Sequence, residues 1–448
     1  MSNKKATMSL HKRTLKWTQN IQGEITFIPK NYTCKRIYKF ISLMLVGLLM
    51  LLILLPNYIS ITEAQRPTVK VNWVIHSNPT KYDESAHSVC EAGDYIYIIG
   101  DQAIGAMWYV RIEMRLKSNG SLVKVWASED YTLHDCVIVN DKLYVTGDSF
   151  DILVFDLDLN LLTYKKRDIP GKAMSSVFYK NYLYIAGWED VGWYGLLVDR
   201  GWRVEKWKIE ELTLVKEYTI NPTEVWWDMA LTVGVNPVTE QVWVVGYDED
   251  GFRIDIMDLD LNLIKVVRSF LWNKSYNIDF DEDGNAYICG WMFVAKFDKE
   301  GNEVVTRSNS HNGCRLLYAN GLIYVGTTEG VISSDKHILF IYDKNLTQLN
   351  MITLGHYWFS RASFIHGKAA FDGKNLYIAG YDARPGDYEW TIYSISLTST
   401  EDSAISLIWW IVIIIVATAT LSLVFLWFKR KHKRIRIKTK PKIPPPPI

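Results

Sequence analysis

The sequence predicts an all-β fold: a seven-bladed β-propeller closed by an N-terminal strand, accompanied by one or two transmembrane helices. The first observation behind it is a phrase that recurs seven times, a strand centred on an aromatic residue and ending at or near glycine. The copies are Tyr97-Ile98-Ile99-Gly100, Tyr144-Val145-Thr146-Gly147, Tyr184-Ile185-Ala186-Gly187, Trp243-Val244-Val245-Gly246, Tyr287-Ile288-Cys289-Gly290, Tyr324-Val325-Gly326 and Tyr377-Ile378-Ala379-Gly380. Their anchors are 37 to 59 residues apart, and each interval holds several short strands, which is the mark of propeller blades. The second is punctuation: Asn, Asp and Gly fall between the strands where hairpins need them. The third is a pair of long apolar runs outside the repeats.

Taken in chain order, residues 1–39 carry nine Lys or Arg and one acid, Glu24, and read as a basic cytoplasmic segment. Residues 40–61 are apolar but broken at Pro56, so they are either an anchor helix or the h-region of a signal peptide cut after Thr62-Glu63-Ala64. The repeats fill 69–398, and 399–403 is a short linker. Residues 404–428 contain no charge, with Trp409, Trp410, Trp427 and Phe428 near the ends. A helix of that length crosses a hydrocarbon core of roughly 30 Å, and interfacial aromatics belong at its ends. The tail 429–448 has nine Lys or Arg, no acid, and Pro444 to Pro447. Removing the two basic ends leaves a body with a net charge of −16. Positive flanks stay in the cytoplasm, which predicts integral membrane insertion with the body outside the cell. An acidic body also argues against nucleic acid as a partner.

The second copy displays the unit. Cys136 to Val139, Leu143 to Thr146, Ile152 to Phe155 and Leu162 to Tyr164 are four strands, separated by Asn140-Asp141 and Asp158-Leu159-Asn160. The seventh copy lacks a fourth strand, whereas Val69 to Val74, ahead of the first copy, resembles the fourth strand Val123 to Trp126. It is expected to complete blade seven and remove an open edge. Both tethers then leave one face of the disc, which looks toward the membrane. An N-terminal tether of about ten residues reaches at most roughly 35 Å. The opposite face carries the blade-to-blade connections and those between second and third strands.

That membrane-distal face is rich in aromatics beside carboxylates, and Trp188, Trp226, Trp227, Tyr247, Trp291, Trp358, Arg361 and Tyr381 are its candidate ligand-binding residues. Flat rings stack on sugar C–H faces while polar neighbours bond the hydroxyls, and peptides use similar surfaces. The competing reading is aromatic packing between blades. For catalysis, His87 and His134 each stand ten residues before an anchor aromatic, near the expected channel, with Asp135 or His311 as partners for a metal or acid–base site. Met174, Asn277, Cys314 and Gly367 at the other inner positions break that cluster. No catalytic residue and no cofactor is assigned, although a lyase- or hydrolase-like site by the channel and a structural spacer are the alternatives to a binding module. Asp281-Glu282-Asp283-Gly284-Asn285 lacks the final glutamate of a calcium loop and reads as a hairpin turn.

Cys90, Cys136, Cys289 and Cys314 lie in the body on neighbouring repeats. Two bridges and buried thiols are both open readings. Asn119, Asn273 and Asn345 begin glycosylation sequons.

Leu143-Tyr144-Val145-Thr146-Gly147 through Phe155-Asp156-Leu157-Asp158-Leu159-Asn160 resembles the YVTN-type and related propeller repeats of prokaryotic, particularly archaeal, cell-surface proteins. Phe293 to Asn302 is similar to the third strand and turn of that repeat. Gly147 replaces the family's asparagine, and Gly326 comes one place early. Across 69–398 the resemblance implies surface display, often with a membrane anchor, and no particular reaction.

Overall fold

The computed structural model describes residues 67–398 except 81–83, 105–106, 130–131, 195–196, 224–227, 270–273, 309–310, 330–335, 357–367 and 385–386, together with 412–416, 418–420, 422–423 and 426. The chain divides into Met1–Ala64 and Gln65–Ile448, and the first unit, with the apolar run 40–61, lies outside the described residues. In the second unit the described strands form seven four-stranded antiparallel sheets. Their innermost strands are Glu84–Ala92, Leu133–Val139, Gly171–Tyr179, Met229–Asn236, Ser275–Phe280, His311–Ala319 and Ala370–Phe371, one for each of blades one to seven. Apolar clusters join each blade to the next. Residues of blades six and seven share one such cluster, and those of blades seven and one share another, so the seven sheets form a ring.

The recurring phrase has a physical cause at each end. In blades one to five the inner strand carries a bulge, at His87, His134, Met174, Leu231 and Tyr276. The bulge pushes a carbonyl against the anchor glycine. A Cβ on Gly147 would stand 1.8 Å from the carbonyl oxygen of Thr132, and one on Gly187 would stand 1.9 Å from that of Lys172. A side chain does not fit there. Three of the anchor aromatics, for their part, reach the next blade. Tyr97, Tyr184 and Tyr287 donate their hydroxyls to the carbonyls of Leu157, Leu259 and Lys344, at 2.7, 3.0 and 3.1 Å.

Those acceptors sit in turns between third and fourth strands that share one chemistry. Asp156, Asp258, Asp298 and Asp343 each accept backbone N–H bonds from residues two and four places on. Each turn needs one residue at positive φ. Gly301 supplies it at no steric cost, but Leu159, Leu261 and Leu346 supply it at 55°, 57° and 57°. Leucine in that region is strained, and burial of all three side chains offsets the cost. Lysines on the fourth strands fasten the same turns from the preceding blade: Lys124 to Asn160, Lys216 to Asn262, and Lys265 to the Glu300 carbonyl.

Three third strands also carry an Arg-x-acid pair that is buried against the blade before. Arg111 bonds Glu113 at 2.6 Å, Arg203 bonds Glu205 at 2.8 Å and Arg253 bonds Asp255 at 2.7 Å. Their guanidinium carbons lie 3.9 Å from the ring centre of Trp390, 5.5 Å from that of Phe150 and 5.2 Å from that of Trp202. Arginine keeps its charge when buried, which is why stacking and pairing together are needed to hold it.

In blade seven, Thr68–Ser77 lies antiparallel to Asp387–Thr398 and forms the outer strand of the sheet. Thr68 pairs with Thr398 and Ser77 with Trp390, so the strand that begins the disc and the one that ends it meet at one end. This is the end of the first-to-second and third-to-fourth turns, since Asn375 pairs with Ser396. The described residues of the run 404–428 are helical, and Thr418, Thr420 and Ser422 return their hydroxyls to carbonyls of the preceding turn. Among the described residues no helix is long and apolar enough to cross a membrane.

Candidate functional site

The bulges that fix the anchor glycines also line up five side chains where the inner strands begin, at the end of the disc opposite Thr68 and Thr398. They are His87, His134, Met174, Leu231 and Tyr276. Sequence spacing places Asn277 in this set. The structure puts Tyr276 there instead, because the five-residue turn Asp281–Asn285 lengthens the hairpin of blade five. That segment forms the hairpin turn read from the sequence: the Asp281 carboxylate accepts from the backbone N–H groups of Asp283 and Asn285.

Two of these five positions are polar. His87 Nε2 lies 2.8 Å from Asp101 Oδ2, and His134 Nε2 lies 2.7 Å from Asp148 Oδ1. Asp101 and Asp148 each follow an anchor glycine, so one device is repeated in adjacent blades, and the two imidazole planes are inclined at 78° with centroids 5.4 Å apart. Burial pushes the His134 imidazole below its ordinary pKa, against the bond from Asp148. Burial opposes ionisation of Asp148 too, yet the bond from His134 and the Lys172 ammonium, 3.1 Å away, hold its carboxyl below the usual value. The other three lie in apolar surroundings. Met174, Trp188, Leu231 and Tyr247 form a buried cluster with Met229 and Tyr276 packed against it.

Behind the mouth six inner strands present one polar residue each, Ser88, Asp135, Ser175, Thr232, Asn277 and Arg315, and Lys368, just ahead of the inner strand of blade seven, joins them. The first five are each opposed by the residue just before the anchor glycine. All but Lys368 are buried. Asp135 gathers the belt. Its carboxylate accepts from Ser88 Oγ at 2.7 Å and Ser176 N at 2.7 Å, and lies 3.4 Å from Lys368 Nζ. Arg315 donates to the Lys368 carbonyl at 3.0 Å and to the carbonyls of Ala86 and His87. Burial draws its guanidinium down to about 9, with Asp135 opposing the fall. On the far side of the belt lies a cavity of about 400 Å³ lined by Val89 to Glu91, Cys136 to Ile138, Val177, Phe178 and Lys368 to Phe371. The belt escaped sequence reading because its seven members have no common residue type.

Cys90 and Cys136 border this cavity and form a disulfide between the inner strands of blades one and two. Cys289 is also disulfide-bonded. The open choice between bridges and thiols is therefore resolved for these three cysteines.

Of the aromatics expected on the outer loops, Trp188 and Tyr247 belong to strands, Tyr182–Tyr194 and Gln241–Asp248, and are buried. Cations cover their rings: the Arg200 guanidinium is 4.0 Å from the Trp188 ring centre, and Lys274 Nζ is 4.8 Å from that of Tyr247. Tyr381 is half-buried in the strand Asn375–Arg384. Trp291, in a two-residue turn, is 39% exposed. Trp226, Trp227, Trp358 and Arg361 lie outside the described residues, as does Asn273. Asn119 and Asn345 are exposed in third-to-fourth turns. Among the described residues no group of three or more His, Cys, Asp or Glu side chains is placed to hold a metal.

The architecture defines a seven-bladed β-propeller, a class whose members present loops and a channel mouth for binding. No family model matches the chain, and no curated protein matches it.

Proposed function

We propose that this chain is a membrane-anchored, extracytoplasmic propeller, sealed by Thr68–Ser77, that recognises a glycan, an envelope component or a protein at its membrane-distal face. The observation that carries the reading is the mouth itself: two His–Asp pairs on one side and Met174, Leu231 and Tyr276 on the other, at the end of the disc opposite the chain's entry and exit. A ligand with a hydroxylated edge and an apolar face matches that division. Anchoring is supported by the charge-free run 404–428 and its basic flank. Disulfides at Cys90–Cys136 and at Cys289 support an oxidising compartment. The resemblance to YVTN-type surface repeats agrees with both.

Residues 65–400 contain every described strand and serve as a soluble test form. Screened against envelope glycans and surface proteins, this form is expected to bind, and Tyr276→Ala and Trp291→Ala are each expected to weaken the binding at least tenfold. Binding that both variants leave unchanged would remove the mouth as the site, and no binding to any probe would favour a structural spacer.

A further inference from the structure

We propose that His87 and His134 together bind one divalent transition-metal ion, zinc by its chemistry, at the channel mouth. An ionised aspartate only accepts hydrogen bonds, so a bond from Nε2 to Asp101 or Asp148 places the ring proton on Nε2 and leaves a lone pair on Nδ1. The Nδ1 atom of His87 is buried and has no partner among the described residues. A metal ligand needs a neutral ring whose other nitrogen is held by a carboxylate, and both imidazoles have that arrangement. The spacing also fits. With metal–nitrogen distances of about 2.0–2.1 Å and tetrahedral angles, two imidazoles on one Zn²⁺ have centroids about 5 Å apart, against 5.4 Å between His87 and His134.

Two protein ligands leave the rest of the coordination sphere to water or to oxygen atoms of a bound molecule, so the ion stands where a ligand enters the mouth. The inference rests on the His–Asp geometry and not on the identity of any ligand. Its test therefore uses the metal alone.

The full-length chain, purified in detergent without added histidines and stripped with chelator, is titrated with Zn²⁺ by calorimetry and with Co²⁺ by visible absorption. One ion per chain is expected. His87→Ala and His134→Ala should each weaken Zn²⁺ binding at least about tenfold, and Asp101→Asn and Asp148→Asn should do so by about 10- to 100-fold through loss of the outer carboxylate. Unfolding midpoints of all four variants verify that they fold, and the two conservative Asn variants decide the matter if an alanine variant does not. Stoichiometric binding retained by folded His87→Ala/His134→Ala protein overturns the proposal, as does a folded wild-type chain that takes up no Zn²⁺. Either result leaves ligand recognition by the mouth standing on its own screen.

Discussion

The carboxylate of Asp135, on blade two, stands 3.4 Å from the ammonium of Lys368, at the edge of blade seven, and so joins the two blades that flank blade one. Its charge also opposes the fall that burial imposes on the pKa of Arg315. Asp135→Ala should destabilise the propeller by about 3–5 kcal/mol, because the buried Arg315 and the partly buried Lys368 are left without their carboxylate. Asp135→Asn keeps most hydrogen bonds and should cost less. Urea unfolding followed by tryptophan fluorescence measures both, and equal losses would show that charge, not hydrogen bonding, ties the belt.

The anchor glycines admit a sharper test. Gly147→Ala sets a methyl 1.8 Å from the Thr132 carbonyl oxygen, so the bulge in blade two must unbend. A loss of at least about 3 kcal/mol is expected, in the range of severe steric substitutions. Gly321→Ala, where a Cβ meets nothing within 4 Å but φ is +75°, should cost only about 1 kcal/mol from backbone strain. A reversed order in their denaturation midpoints would overturn this account of the repeat.

The Cys90–Cys136 bridge closes a loop of 46 residues, and chain entropy assigns such a loop about 4 kcal/mol. Cys90→Ser/Cys136→Ser protein is expected to lose about 2–4 kcal/mol, read from chemical denaturation of oxidised samples. A difference below about 0.5 kcal/mol would mean that the bridge adds nothing the belt does not already supply.

Burial raises the carboxyls of Asp228 and Asp279 to about 6. Both groups therefore hold protons in the folded chain that the unfolded chain has released. Their contribution is complete below about pH 4 and is lost as pH rises through about 6. Asp228→Asn/Asp279→Asn should flatten the decline in stability between pH 4 and pH 6, as followed by thermal unfolding at half-unit steps. A slope identical to the wild type would place the titration elsewhere.

How far the sequence reveals this molecule depends on the range of the interaction. The aromatic anchors, the glycines and the Asx turns recur because each repeat meets the same local geometry, so Tyr144, Gly147 and Asp156 announce a blade without any coordinates. Trp188 and Tyr247 misled because a residue just past the anchor glycine looks like loop, whereas the second and third strands run on and bury it. The tie between Asp135 and Lys368 joins residues more than 230 places apart, and no periodicity encodes it. Blade five shows the intermediate case: one longer turn moves Tyr276, not Asn277, into the mouth.

The pairing of Thr68 with Thr398 has a mechanical meaning. When the ends of the chain are pulled apart, tension falls on that first rung alone, then on Val69 and Leu397, and so on toward Ser77 and Trp390. The seam is loaded like a zipper rather than in shear, and it opens rung by rung at small force while the other six sheets feel none.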